Sequence, residues 1–483
     1  MTQSAAASAP GPQKSGLLAG LPNPWPDDDL SRRIRRQHLA RAETLVVVDD
    51  DPTGCQTVAD VPLLFDGSIP SLSAELAAHP AVLYIMTNSR ARPEAEARRL
   101  NQDLAANLRV AAADTGRAIS VISRSDSTLR GHFPAETDGL AAGLGPFRGI
   151  LLAPYFRDGG RLTVGDVHYV QRGEALVPAA DTEFARDPVF GYSSSNLRTW
   201  AAHKSGGQWA AGDILSVSLD DIRLGGPDRV AQQLARCSGG VPVVINAACD
   251  RDLEVVAWAL LQMETGPQTL LPRTAASFVK VRAGLPDRPL LTPEDLGLDR
   301  TGQARGGLVV VGSYVPQTSA QLDHLLALPH VRGCELNVPR LLARAGSEPG
   351  VRELASELAQ ATAKALLAGQ TAVLFTSRSF AAGDGPDGPL AAGRLISQAW
   401  CQVLRALPVR PGYLIAKGGI TAHELAQQGL GCQRATVLGQ IAAGVPVWRL
   451  DRAQTFDNIP YVVFPGNVGQ PGTLAEIVER LRG

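Results

Sequence analysis

Residues 44–51 read TLVVVDDD, and the chain continues PTG at 52–54. A short uninterrupted apolar run that ends in acids is the pattern of a parallel strand buried on both faces. The same pattern recurs at AVLYIMTNSR (81–90), AISVISRSDS (118–127), GILLAPYF (149–156) and PVVINAACD (242–250). Helical patterns lie between them, such as PEAEARRLNQDLAANLRVAAAD at 93–114. This alternation predicts an α/β fold with a largely parallel sheet.

The pattern starts again after residues 281–306, VRAGLPDRPLLTPEDLGLDRTGQARG, which are Pro/Gly-rich and weakly periodic. They read as an inter-domain linker. A second α/β block opens with GGLVVVGSYVPQTSAQL (306–322) and continues through TAVLFTS (371–377) and GYLIAKGG (412–419). The expected layout is a flexible tail and leading helix over 1–42, an α/β domain over 43–282, a linker over 283–306, and a second α/β domain over 307–483. Within the first segment, residues 1–25 read as tail and LSRRIRRQHLARA (30–42) as helix. AAGDGPDGP (381–389) reads as a mobile surface loop.

The chain has 483 residues, room for two or three domains. Lys+Arg is 46 and Asp+Glu is 47, which excludes a strongly basic nucleic-acid binder and an acidic solvating protein. No apolar stretch approaches the length of a transmembrane helix. The six cysteines form no CxxC pair and read as free thiols in a reducing compartment. The opening residues carry no signal-peptide pattern, so a cytoplasmic protein is expected.

Ligands of α/β sheets bind beyond the carboxyl ends of the strands. In the first block those ends are unusually polar. DDDPTG (49–54) offers Asp50, Asp51 and Thr53, TNSR (87–90) offers Ser89 and Arg90, and SRSDSTLRG (123–131) offers Arg124, Asp126, Ser127, Thr128 and Arg130. Arginine forks bind carboxylate or phosphate. Aspartates accept hydrogen bonds from hydroxyls, coordinate Mg²⁺ or act as general base. Helix capping and mutual ion pairing account for any one strand end. Three in one domain point to a small, polyhydroxylated, anionic ligand. His168, in the glycine-punctuated segment APYFRDGGRLTVGDVHYV (153–170), is a further candidate contact. Cys55 follows the acidic turn directly and reads as packing or pocket lining, since no base partner is evident.

The second block carries glycine turns before helices. They hold Ser313 in VVGSYVPQTSAQL, Gly418, Gly419, Ile420 and Thr421 in KGGITA, and Gly466 in FPGNVGQPGTLAEI. Such turns suit a phosphate ligand. Neither GxxxxGK[ST] nor GxGxxG is present, which disfavours a Walker-type NTPase and a standard dinucleotide dehydrogenase.

The order DDDPTG, TNSR, SRSDSTLRG, APYFRDGGRLTVGDVHYV resembles the substrate-binding half of the four-carbon acid sugar kinase family. GSYVPQTSAQ, KGGITA, GQIAAGVPVW and PGNVG resemble its nucleotide-binding half, and the similarity runs over residues 43–480. The resemblance implies ATP-dependent phosphorylation of a terminal hydroxyl on a tetronate or 3-oxo-tetronate. It also implies Mg²⁺, and two α/β domains with the active site in the cleft between them. Asp50, Asp51, Thr53, Ser89, Arg90, Asp126, Ser127, Thr128 and Arg130 then belong to the substrate side, with Arg124 and His168 beside them. Ser313, Gly418 to Thr421 and Gly466 belong to the ATP side. Asp51 or Asp126 takes the proton of the attacking hydroxyl, and sequence does not choose between them. The expected partners are a sugar acid and ATP, with no nucleic acid or membrane, and a homo-oligomer is allowed. Competing readings are a kinase of a branched or five-carbon sugar acid or oxo-acid, and a catalytically inactive nucleotide or ligand sensor.

Overall fold

The computed structural model describes residues 13–263, 269–298, 306–312, 316–377, 388–466 and 468–482. The chain forms two α/β units: Met1–Thr57 with Asp66–Asp287, and Val58–Phe65 with Arg288–Gly483.

The sheet of the first unit is parallel. Its spatial order is Val82–Met86, Glu43–Asp49, Ala118–Arg124, Leu270–Thr274, Gly149–Ala153, Val241–Ile245, Leu215–Val217. The strand Glu43–Asp49, paired on both sides, is buried along TLVVVD, as its uninterrupted apolar run requires. Register brings the strand ends level: Asp49 lies beside Met86 and Arg124, and Thr274 beside Arg124 and Ala153. All the polar strand ends therefore open onto one edge of the sheet. On the flank, the helices Glu94–Thr115 and Ala135–Leu144 approach so closely that a Cβ on Gly143 would lie 2.4 Å from the Ala105 Cβ. A separate antiparallel meander, Arg161–Val164, Val167–Arg172 and Ala175–Pro178, carries His168.

Among the described residues, the sheet of the second unit is parallel over five strands and ends in three antiparallel ones. Val331–Leu336, Thr371–Thr376, Leu308–Val311, Leu414–Lys417 and Ile459–Phe464 run parallel. Val445–Arg452, Arg434–Ala442 and Val61–Leu64 then continue the sheet antiparallel. Its core gathers Val309, Val311, Ile415, Val462 and Phe464 with the helix Thr473–Arg482.

Three boundaries differ from the sequence expectation. Val61–Leu64 lies within the expected first domain yet pairs with Arg434–Val437, and joins the second unit. A four-residue apolar strand carries no local mark of which sheet will take it. Of the linker expected over 283–306, the described residues 283–298 are folded on both sides of Asp287: the Leu291 N–H donates to the Gln440 carbonyl at 2.7 Å, and Leu296 is buried in the second core. Residues 13–25 of the expected tail are tied to the first unit. The Lys14 N–H donates to the Glu174 carbonyl at 2.9 Å, and Arg223 Nη1 donates to the Pro22 carbonyl at 2.7 Å. The expected helix forms over Leu30–Ala40 and buries Leu30 and Ile34. Most of the 381–389 loop lies outside the described residues, as does Ser313. Among the described residues the six cysteines form no disulfide. Among the described residues, no helix is long and apolar enough to cross a membrane.

Candidate active site

Arg90 is the hub of the first unit's sheet edge. Asn88, in the left-handed conformation (φ 48°), starts a short 3₁₀ turn, Ser89–Ala91, that swings Arg90 back over the first strand. Arg90 Nη2 donates to Asp50 Oδ1 at 2.6 Å and Nη1 to Asp51 Oδ2 at 3.1 Å. Nη1 also lies 4.0 Å from Asp126 Oδ1. Behind it, Arg124 Nη1 donates to Asp49 Oδ1 at 3.0 Å. In front, Arg130 Nε donates to Asp126 Oδ2 at 2.7 Å, and the Thr128 hydroxyl shares that oxygen. Thr53 donates to Asp51 Oδ1 from its backbone N–H at 2.8 Å and from its hydroxyl at 2.5 Å. Ser89 donates to Glu136 Oε1 at 2.5 Å, and Arg273 Nη1 to Glu136 Oε2 at 2.9 Å.

Asp49, Asp50, Asp51, Asp126 and Glu136 thus face Arg90, Arg124, Arg130 and Arg273, one carboxylate more than guanidinium groups. Most of these side chains are buried, so the excess negative charge has little solvent to relieve it. Burial pushes the Asp49 carboxyl up to about 6, against the pull of Arg124. Burial, aided by the nearby Glu136 charge, pushes Asp50 up to about 7 against Arg90. Asp51 and Asp126 go the other way. Burial opposes ionisation of Asp51, but Arg90 and Arg124 outweigh it and hold the carboxyl below the usual range. Burial likewise opposes ionisation of Asp126, and Arg130 and Arg90 hold it far below that range. Asp50 is thus poised to hold a proton near neutrality, while Asp51 and Asp126 stay ionised.

Beside this cluster lies a cavity whose walls include Asp126, Arg130 and Arg273 on the polar side and Leu197 and Trp200 on the apolar side. Of the residues expected from sequence, Asp126 and Arg130 line it. Asp50, Asp51, Thr53, Ser89, Arg90, Arg124 and Thr128 are brought into the same cluster, where their side chains or backbone are held by its members, and the Ser127 carbonyl accepts from His168. His168 is the exception among the expected substrate contacts. It is fully buried, with Nε2 2.8 Å from the Ser127 carbonyl and Nδ1 2.9 Å from Thr163 Oγ1. Because a carbonyl only accepts, Nε2 carries the hydrogen and Nδ1 accepts from Thr163. Burial pushes its pKa down to about 4, so the ring is neutral. His168 pins the DSTLRG turn from behind instead of reaching a ligand. Sequence reading missed Glu136 and Arg273, and it gave Asp49, one of the three carboxylates of DDDPTG, no role of its own. The strand-end rule applied to LLPRT (270–274) would have found Arg273.

Gly54 shows how tightly the acidic turn is folded. A Cβ there would sit 2.0 Å from Asp49 Oδ2 and 2.4 Å from Arg124 Nη1, so any side chain must separate this buried pair. Gly54→Ala is expected to destabilise the protein by about 1–3 kcal/mol, the usual range for overpacking. It should lower the thermal midpoint by several degrees. An unchanged melting curve would show that the turn yields without cost.

The three glycine turns of the second unit converge. A Cβ on Gly312 would lie 2.4 Å from Thr421 Oγ1, so the turn after Leu308–Val311 abuts the KGGIT turn. The Thr318 hydroxyl donates to the Gly466 carbonyl at 3.3 Å. Lys417 is fully buried over the Phe464 ring, and its Nζ donates to the Pro465 carbonyl at 2.6 Å and to the Gly466 carbonyl at 3.2 Å. Gly418 has φ 115°, a conformation that favours glycine, and the helix Gly419–Glu424 starts directly after it. Gly418, Gly419, Thr421 and Gly466 are thus gathered around the end of one strand. Ile420 is 56% exposed beside them.

Residues 45–282 match the family model of a sugar-binding N-terminal domain, and residues 308–474 that of a nucleotide-binding C-terminal domain. A D-erythronate kinase from Heliobacterium modesticaldum is 28% identical over 289 residues, 58% of this chain and 59% of that protein. The match thus spans about three fifths of that relative's length. A solved structure from Salmonella typhimurium LT2 superposes with a TM-score of 0.65 at 18% identity, covering 89% of this chain and 98% of its own. A Haemophilus influenzae protein of the DUF1537 family superposes with a TM-score of 0.60 at 19% identity, covering 90% and 99%. At these identities the two structures bear on the fold alone.

Proposed function

This chain belongs to the four-carbon acid sugar kinase family, and from that premise we propose that it transfers the terminal phosphoryl group of ATP to a hydroxyl of a small sugar acid of the tetronate or 3-oxo-tetronate type. The observation that carries this reading is the cavity walled by Asp126, Arg130 and Arg273. A carboxylate that stays ionised and two guanidinium groups suit a ligand that is both hydroxylated and anionic. Phosphoryl transfer asks a protein for positioning and charge neutralisation more than for covalent chemistry.

In this reading Asp126 accepts the hydrogen of the attacking hydroxyl, since it lines the cavity and Asp51 does not. Arg130, already oriented by Asp126, and Arg273, already oriented by Glu136, attract the acid group. Arg90 keeps Asp50 and Asp51 in place behind them. The gathered turns at Gly419, Thr421 and Gly466 present backbone N–H groups to the nucleotide phosphates, while Gly418, whose N–H is spent on the Phe464 carbonyl, shapes the turn.

Mg²⁺ fits the same scheme. Among the described residues no three His, Cys, Asp or Glu side chains stand together as a metal cage. Mg²⁺ is usually held by one or two carboxylates plus substrate phosphates. We therefore assign it to the nucleotide phosphates, with Asp51 the more exposed acid of the cluster available to it. When bound, it neutralises phosphate charge.

The test is ADP release from Mg-ATP with a panel of C4 to C6 sugar acids and their 3-oxo forms, against a blank without acid. Turnover on a four-carbon acid is expected. Turnover only on a longer or branched acid would keep the kinase and discard the four-carbon substrate. ATP binding without acid-dependent ADP release would make the protein a sensor.

A further inference from the structure

Two residues that line the cavity beside Asp126 carry polar groups that the protein itself leaves unused. Trp200 and Thr274 both line it, at 4% and 1% exposure. The Trp200 Nε1–H and the Thr274 hydroxyl are buried without a hydrogen-bond partner in the structure. Such groups call for a partner from outside the chain, a water or a ligand oxygen that displaces it. Both positions are rigid. Thr274 ends a strand paired on both sides, level with Arg124 and Ala153. Trp200 sits in the helix Leu197–Lys204, with its ring stacked on Phe133 at 5.1 Å between centroids. The charged groups of the cavity, in contrast, already have partners: Arg130 has Asp126, and Arg273 has Glu136.

We propose that Trp200 and Thr274 are specificity-determining residues of the acid-binding cavity, which take up hydroxyl or carboxylate oxygens of a polyhydroxylated acid. This rests on the sugar-acid reading above and adds to it the groups that count hydroxyls. An indole N–H only donates, so it needs an oxygen acceptor. A threonine hydroxyl both donates and accepts, and so matches a ligand hydroxyl. An apolar or singly hydroxylated acid leaves one or both unsatisfied. A site built to bond a hydroxyl rejects the analogue that lacks it.

The test is calorimetric titration of the full chain, without nucleotide, with tetronates and deoxytetronates that lack one hydroxyl. Thr274→Val removes the hydroxyl at nearly constant volume, and Trp200→Phe removes the N–H but keeps an aromatic ring against Phe133. Each variant is expected to weaken binding of the fully hydroxylated acid by about tenfold or more, the usual effect of losing one buried hydrogen bond. Binding of the matching deoxy acid should change much less, so the preference between the two narrows. Folding is checked by melting curves, and the KM for ATP should stay at the wild-type value. If both variants keep the wild-type preference, or the wild type binds none of these acids, the proposal is overturned. Binding with a narrowed preference but no ADP release would uphold it and sink the kinase reading. ADP release with an unchanged preference would do the reverse.

Discussion

Asp126→Asn is expected to lower kcat for sugar-acid phosphorylation by about 10³-fold and to lower the melting midpoint as well, since Arg130 and Arg90 lose a counter-ion. General-base assistance contributes about 10² to 10⁴ in rate, and 10³ corresponds to about 4 kcal/mol of transition-state stabilisation. The substitution keeps both hydrogen bonds. An asparagine oxygen still accepts from Arg130 Nε, now 2.7 Å from Asp126 Oδ2, and from the Thr128 hydroxyl. What it loses is the negative charge and the capacity to take a proton. The carboxyl is held far below its usual range because Arg130 and Arg90 outweigh burial, so it is a weak base. A weak base serves in phosphoryl transfer, where the transition state is loose and the nucleophile is oriented more than it is deprotonated. KM for the acid should move less than kcat. A kcat within tenfold of wild type would end the assignment. If Asp51→Asn alone caused the collapse, the role would pass to Asp51.

Arg90→Ala should be the most destabilising single change in the cluster, by about 3–5 kcal/mol at neutral pH. That is the usual cost of removing one partner of a buried ion pair. Arg90 holds two carboxylates, Asp50 at 2.6 Å and Asp51 at 3.1 Å, and removal leaves both uncompensated. For a unit of this size the melting transition should fall by about 10 °C. The deficit should depend on pH. Asp50 has a folded pKa raised to about 7, so its protonated form is favoured by folding and stability from this group falls as pH rises through 7. Asp51 has a lowered folded pKa, so its contribution is present above the ordinary carboxylate range and is lost as pH falls below it. Without Arg90 the charged forms of both lose their counter-ion. The gap between variant and wild type should therefore widen from pH 5 to pH 8. A gap that is constant across this range would mean that Arg90 acts through packing and not through charge.

The parts of this protein legible in its sequence are those that local chemistry writes. Uninterrupted apolar runs such as TLVVVD announced buried parallel strands, and acids or arginines at their ends announced the polar edge of the sheet. The DSTLRG turn and the KGGIT turn were visible for the same reason: short-range bonding, as between Asp126, Thr128 and Arg130, is encoded within a few residues.

What the sequence left open depends on partners far along the chain. Arg273 meets Glu136 across 137 residues, in a strand whose Pro272 argues against a central position. Val61–Leu64 is claimed by a sheet whose pairing strand begins at Arg434, since an apolar tetrapeptide has no preference of its own. His168 looked like a ligand contact beside its glycine turns, and only packing showed both ring nitrogens spent inside the protein. Sequence alone thus determined the α/β class, the polar sheet edge and the residue types gathered there. Tertiary structure decided which of those residues face the cavity, which stay ionised and which hold the others still, because burial and through-space charge arise only when distant segments meet.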